Sequence, residues 1–243
     1  MKLVRLFQLA APLALCLAAT ACEDPAKDKP RATVAPTSGA SAAAAPTGAA
    51  NLPLGASSAA AAATPTVAAA AAAPTGAGVP IDVASSTVGF IGSKVTGKHE
   101  GKFEKFSGTL SPSADGKAEG GQVTIEIDMN SVKTDEAKLD GHLKSPDLFD
   151  TTKFPTAKFV STEIKAGGDK GATHTVTGDL DLHGVKKSIS FPATVTVSDA
   201  EITAKTEFVL NRKDFSIIYP GKPDDAIRDD VVIKFDVKAP RKK

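Results

Sequence analysis

Alternation of apolar and polar residues at every second position is what most limits this chain. "QVTIEIDM", residues 122–129, places Val123, Ile125, Ile127 and Met129 on one face and Thr124, Glu126 and Asp128 on the other. Successive side chains of a strand point to opposite sides, so such a run reads as a half-buried strand. The pattern returns in "TVTGDLDL" (Val176, Leu180, Leu182) and "SISFPATVTV" (Ile189, Phe191, Ala193, Val195, Val197). It returns again in "EITAKTEFVL" (Ile202, Ala204, Phe208, Leu210) and "DVVIKFDVK" (Val231, Ile233, Phe235, Val237). Less regular strands fit 86–96, 101–111 and 156–165, which carry Phe90, Phe106 and Phe159. Turns such as "SADGKAEGG", "AGGDKGA" and "LHGV" separate them. An all-β unit of about eight antiparallel strands follows, and it must bury its apolar faces as a barrel or a sandwich.

One segment breaks the alternation. "SVKTDEAKLDGHLKSPDLF" has Leu139 and Leu143 at i, i+4, acidic residues 135 and 136 near a start at Thr134, and Pro146 as a stop. This predicts one short helix over 134–145. The next stretch, "SPDLFDTTKFP" (145–155), has the frame of a surface loop yet carries Leu148, Phe149 and Phe154. With 11 Phe, one Tyr and no Trp in the chain, apolar bulk in a loop needs a reason. The helix and loop read as a lid across one end of the β unit, with ligand contact and simple sealing both open for its side chains. An inward set made mostly of Val, Ile, Ala and Leu would fill a large barrel poorly, so an elongated apolar cavity is expected. A fully packed sandwich also fits the pattern.

The N-terminal third has a different character. "MKLVRLFQLAAPLALCLAATAC" has basic residues 2 and 5, an apolar run and then small residues, the form of a signal peptide over 1–21. Ala19–Thr20–Ala21–Cys22 resembles the lipobox of bacterial lipoproteins, with Ala19 where Leu is usual. That resemblance implies an acylated Cys22 as the mature N-terminus. Ordinary secretion with cleavage after Ala21 is the alternative. Residues 23–78 hold 23 Ala and seven Pro with almost no apolar bulk, so 22–78 reads as a lipid-anchored disordered tether. As a flexible coil it would span roughly 40 Å. Five basic and three acidic residues precede position 79, leaving 24 basic and 25 acidic of the chain's 29 and 28 in the domain 79–243. That balance carries no nucleic-acid footprint.

Several stretches resemble the YceI-like family of periplasmic, lipocalin-like barrels that bind polyisoprenoid lipids. They are "GHLKSPDLFDTTKFPTAKFVSTEI" (141–164), "GDLDLHGVKKSISFP" (178–192), "FVLNRKDFSIIYP" (208–220) with "IRDDVVIKFDVKA" (227–239), and "GKFEKFSGTL" (101–110). Leu148 stands where the family often has an aromatic residue, and Lys186 where it often has Thr. The resemblance spans about 80–239. It implies an eight-stranded lipocalin-like barrel holding a long isoprenoid tail of the quinone or prenyl pyrophosphate class. The chain would be a non-enzymatic binder on the periplasmic side of the bacterial envelope, its partners being that lipid and the membrane. On this reading the ligand-contacting set is Phe90, Phe106, Val123, Ile125, Ile127, Met129, Leu143, Leu148, Phe149, Phe159, Leu180, Ile189, Phe191, Phe208, Leu210 and Phe235. A filled-barrel interaction module and an enzyme on the same scaffold are the rivals.

No cofactor, metal or catalytic motif is expected: no G-x-S-x-G, P-loop or H-E-x-x-H occurs, and His99, His142, His174 and His183 stand apart from one another. "PDDAIRDDV" (223–231) reads as a solvated loop in which Arg228 pairs with a neighbouring Asp. "SKVTGKHEGK" (93–102) reads as a charged hairpin, although both stretches could meet a headgroup. Arg212 is expected to be a structural hydrogen-bond hub.

Overall fold

A computed structural model of the chain describes residues 24–36 and 78–241. The expected signal peptide, Cys22 and most of the expected tether lie outside the described residues. The strands are β1 (Thr33–Pro36), β2 (Val79–Pro80), β3 (Thr87–Lys94), β4 (Gly97–Phe103), β5 (Phe106–Ser111), β6 (Gln122–Asp128) and β7 (Val132–Thr134). They continue with β8 (Thr156–Ala166), β9 (His174–Leu182), β10 (Val185–Val197), β11 (Glu201–Asn211), β12 (Gly221–Lys222), β13 (Asp225–Ala226) and β14 (Asp230–Pro240). One α-helix, α1 (Ala137–Lys144), follows β7.

All pairings between these strands are antiparallel. They form one strongly curled sheet in the order β2-β5-β6-β8-β9-β10-β11-β14-β3-β4-β7, with β1 attached to β10 and a separate β12–β13 ribbon. The expectation of an all-β unit with one helix holds, but the count of eight does not. The expected strand 101–111 is two strands, because the chain turns a corner at Glu104–Lys105. There the Glu104 amide donates to the Ser131 carbonyl, β4 continues along β3 and β7, and β5 departs to β6. The other additional strands have two to four residues each, too few for alternation to register.

Helix α1 starts three residues later than expected, since Val132–Thr134 is bound to β4 as β7. Buried Asp140 ties the two together: its Oδ1 accepts from the Thr134 amide (2.7 Å) and hydroxyl (2.8 Å). The turn Leu182–Val185 joins β9 to β10 through His183 and Gly184, both at positive φ (53° and 72°), as a two-residue hairpin requires. Gly184 has a second constraint, because a Cβ there would come within 2.4 Å of the Phe154 ring.

The expected tether begins as part of the fold. β10 pairs with β11 only over Thr194–Val197, and beyond that the two strands diverge. Residues 30–36 lie in the gap. The Val209 amide donates to the Pro30 carbonyl (2.8 Å), the Ala32 amide donates to the Val209 carbonyl (2.9 Å), and Thr33–Pro36 pair with Lys187–Ser190. Ala32 and Val34 face the core while Arg31, Thr33 and Ala35 are exposed. Arg31 holds Asp230 through two bonds (2.7 and 2.5 Å), and Lys29 pairs with Glu207. Ala26 covers an apolar patch of Ile91, Val209 and Val232 on the outer side of the sheet. The expectation of disorder over 22–78 is therefore corrected for residues 24–36. Their few apolar side chains suffice because open ladder positions and an outward apolar patch are already waiting for them.

Candidate functional site: an apolar cavity

The interior of the curled sheet is unevenly filled. At one end Ile81, Leu110, Val123, Ile125, Ile164, Val176, Val195, Ile202 and Val237 pack into a continuous core. At the other end lies a cavity of about 460 Å³, within the roughly 300–1,000 Å³ of small-molecule sites. It begins above stacked Phe191 and Phe208, whose rings lie 4.3 Å apart, with Phe159 tilted against Phe191 at 5.5 Å. Its wall comes from the ends of strands that meet at this end of the sheet: Ile127 and Met129, Ala157 and Phe159, Leu180 and Leu182, Ile189 and Phe191, Phe208 and Leu210, Ile233 and Phe235.

Phe90, Leu143, Leu148 and Phe149 complete the wall beneath α1 and the following loop. Phe149 lies 6.1 Å from Phe90 edge-on and 6.3 Å from Phe103, so three rings stand together under the lid. Gly101 makes room for this arrangement, since a Cβ there would lie 2.4 Å from the Phe90 ring. Phe106, Val123 and Ile125, also expected to touch ligand, are buried in the solid core and do not reach the cavity. They face inward, as alternation requires, but sit at the filled end, and periodicity gives a face without a depth. Phe154 takes the sealing role: its ring lies 4.7 Å from His183 and against Gly184, away from the cavity. Leu148 and Phe149 are wall residues.

Polar groups gather at the rim, where Lys94, His99, Glu136, Lys138, Lys222 and Asp225 border the opening. Lys94 Nζ meets Asp225 at 2.6 Å. That bond holds the Asp225 carboxyl below its ordinary pKa and the Lys94 ammonium above its own, keeping both charged. Asp225 also accepts from the Thr96 amide (3.1 Å) and hydroxyl (2.9 Å), joining the β12–β13 ribbon to the β3–β4 turn. His99 Nδ1 lies 3.1 Å from Asp135. The expected charged hairpin is therefore tied into the rim on both sides.

Arg212 is the expected hub. It is buried and donates to the carbonyls of Arg228 (3.1 Å), Ile217 (2.6 Å) and Ile227 (3.3 Å) and to Asp229 (3.1 Å). Burial pulls its pKa below the ordinary value. These bonds fix the 217–229 loop that forms one side of the mouth. Arg228 departs from expectation. Its partner is Asp24 (3.0 Å), from the segment read as tether. A signal for that segment was present: "FI" at 90–91, "FVL" at 208–210 and "VVI" at 231–233 are apolar on both faces of their strands, which implies a cover on the outside as well.

The YceI-like domain family matches residues 80–239. UPF0312 proteins of Pseudomonas putida and Pseudomonas syringae pv. tomato are 35% and 36% identical over 142 and 140 residues, each match covering 55% of this chain and 71% of the relative. Among solved structures, Burkholderia cenocepacia BcnA superposes with a TM-score of 0.58 at 28% identity, covering 65% of this chain and 99% of that one. A domain of Saccharophagus degradans, described as polyisoprenoid binding and implicated in plant cell wall breakdown, does so with a TM-score of 0.53 at 21% identity, over 67% and 98%. With a family match over most of its length and a fold shared with these structures, the chain belongs to the YceI-like family.

Proposed function

We propose that this chain binds an isoprenoid-type lipid, of the quinone or prenyl pyrophosphate class, with the tail in the cavity and the headgroup at the charged rim. The observation that carries this reading is the apolar cavity, floored by Phe191 and Phe208 and bordered by Lys94, His99 and Asp225. A tail moved from water to such a wall gains about 0.8 kcal/mol per methylene, less the cost of ordering the chain. The description of the Saccharophagus domain supports the ligand class. On this reading the chain acts as a carrier or store. It works on the periplasmic side of the bacterial envelope, held to a membrane by an acylated Cys22.

The test is titration of the delipidated protein with a fluorescent prenyl lipid, beside a variant carrying Leu148→Ser and Phe149→Ser. Both changes remove apolar wall, so binding should weaken at least about tenfold, a loss of roughly 1.4 kcal/mol. Unfolding of the ligand-free variant in denaturant should show a smaller loss than the binding energy. Unchanged affinity with a large loss of stability would make the lid a piece of core and would remove the proposal.

A further inference from the structure

Resting on that reading of an anchored lipid binder, we propose that the mouth of the cavity is a membrane-docking face, seated on the phospholipid bilayer by the anchor itself. A 57-residue disordered tether over 22–78 would let the folded unit swing in any orientation. The structure removes that freedom. Asp24 is bonded to Arg228, whose own amide donates to the Ser93 carbonyl (2.9 Å) at the mouth end of β3. Ala26 is packed on Ile91, Val209 and Val232, and residues 30–36 are laced between β10 and β11. Cys22 precedes Asp24 by two residues, a reach of about 7 Å at most. The described segment thus starts, at Asp24, at the end of the sheet at which the cavity opens, and an acyl group on Cys22 would have only that short reach from it.

The rim has the side chains for such a contact. Val95, at the β3–β4 turn, is 58% exposed, and Ile218, between the cavity-lining residues Ile217 and Tyr219, is 69% exposed. Among the described residues the remaining large apolar side chain classed as exposed, Val83 at 39%, lies at the opposite, filled end, where the amide of its neighbour Asp82 donates to the Lys238 carbonyl. Lys94, Lys138 and Lys222 share the rim with Glu136 and Asp225. With charge nearly balanced there, the contact is chiefly apolar and weakly dependent on salt. A mouth held at the bilayer lets a tail pass from acyl chains to the cavity wall without meeting water.

The acylated full-length protein, reconstituted in vesicles of phosphatidylethanolamine and phosphatidylglycerol, tests this. A fluorophore sensitive to polarity is attached at Val95→Cys, at Ile218→Cys and, as the control, at Val83→Cys. Blue-shifted emission quenched by nitroxide lipids is expected at 95 and 218, with water-like emission at 83. The combined change Val95→Asp and Ile218→Asp should slow transfer of a fluorescent prenyl lipid from the vesicles about tenfold, a barrier change of about one factor of ten in rate. Affinity in detergent solution should be unchanged. Water-like emission at all three sites, or quenching strongest at 83, overturns the docking face. If the protein still binds the prenyl lipid in solution, that result leaves the ligand reading standing. Absence of binding in solution overturns the ligand reading, and release of the wild-type chain from membranes overturns the anchor; in either case the docking proposal falls with it.

Discussion

Along Glu201–Asn211 the inward side chains begin in one environment and end in another. Ile202 lies in the packed core, paired across the sheet with Val197 and Ala239, whereas Phe208 and Leu210 border open space. The same division runs through β9, from Val176 to Leu180, and through β6, from Ile125 to Ile127. Strands of one composition thus build a solid half and a hollow half. The difference lies in what closes each end. Short turns and the Ile81 segment bring apolar side chains down into the solid half. A helix and a loop bridge the hollow half, and α1 and the 145–155 segment stay at its wall. Stability should therefore reside mainly in the solid half and affinity in the hollow one.

The largest effect that separates the halves is a buried charge. Val176→Asp places a carboxylate in packed core with no partner and should cost more than about 4 kcal/mol. Leu180→Asp, four residues along the same strand, faces the cavity, where water can reach it. It should cost about half as much and abolish prenyl-lipid binding. Denaturant unfolding of both variants checks the order, and equal losses would erase the distinction between the halves. Next in size is removal of residues 24–36, which uncovers Ile91, Val209 and Val232 and empties the gap between β10 and β11. A chain beginning at Val79 should be less stable than one beginning at Glu23 by about 2–4 kcal/mol, the scale of losing one or two buried apolar side chains with their ladder bonds. Matching thermal midpoints would return the segment to the role of tether.

A filling experiment sharpens the comparison further. Ala193 and Ala157 are both 3% exposed, but only Ala157 borders the cavity. Ala193→Phe overpacks the solid half and should cost about 1–3 kcal/mol. Ala157→Phe turns a ring into existing space, so stability should hold or rise while affinity falls at least about tenfold. Loss of stability in both would mean that the hollow half has no room to give.

Much of this was legible in the sequence. Alternation assigned the inward face of Ile125, Ile127, Phe191 and Phe208, and the one helix with its apolar loop was visible as a departure from it. The depth of each side chain was not legible. Ile125 and Ile127 are equivalent in sequence and lie on opposite sides of the boundary between core and cavity. The corner at Glu104–Lys105 was hidden because the bonds that turn it come from Ser131, distant in sequence. The N-terminal strand was hidden for a related reason. Thr33–Pro36 has little propensity of its own and takes its conformation from Lys187–Ser190 and Val209.

The smallest expected effect concerns acid at the lid of the hollow half. Asp140, buried in α1, accepts hydrogen bonds from the Thr134 hydroxyl and amide and lies 3.3 Å from Lys133. The Thr134 hydroxyl first, then the amide and Lys133, hold its carboxyl below the ordinary aspartate value in the folded protein. The folded pKa is the lower one, so between the two values the unfolded chain binds more protons than the folded chain. The stabilisation is thus complete above the unfolded value of about 3.9 and is lost as pH falls through the folded value. Acidification should therefore increase amide exchange in Ala137–Lys144 before it does so around Val176 in β9. Asp140→Asn keeps an oxygen that accepts from Thr134 but cannot titrate, so its α1 exchange should be a little faster at neutral pH and should lack the acid step. If the variant kept that step, the acid sensitivity would belong to another group, and the lid would be held against the sheet by apolar packing of Leu143 and Leu148 alone.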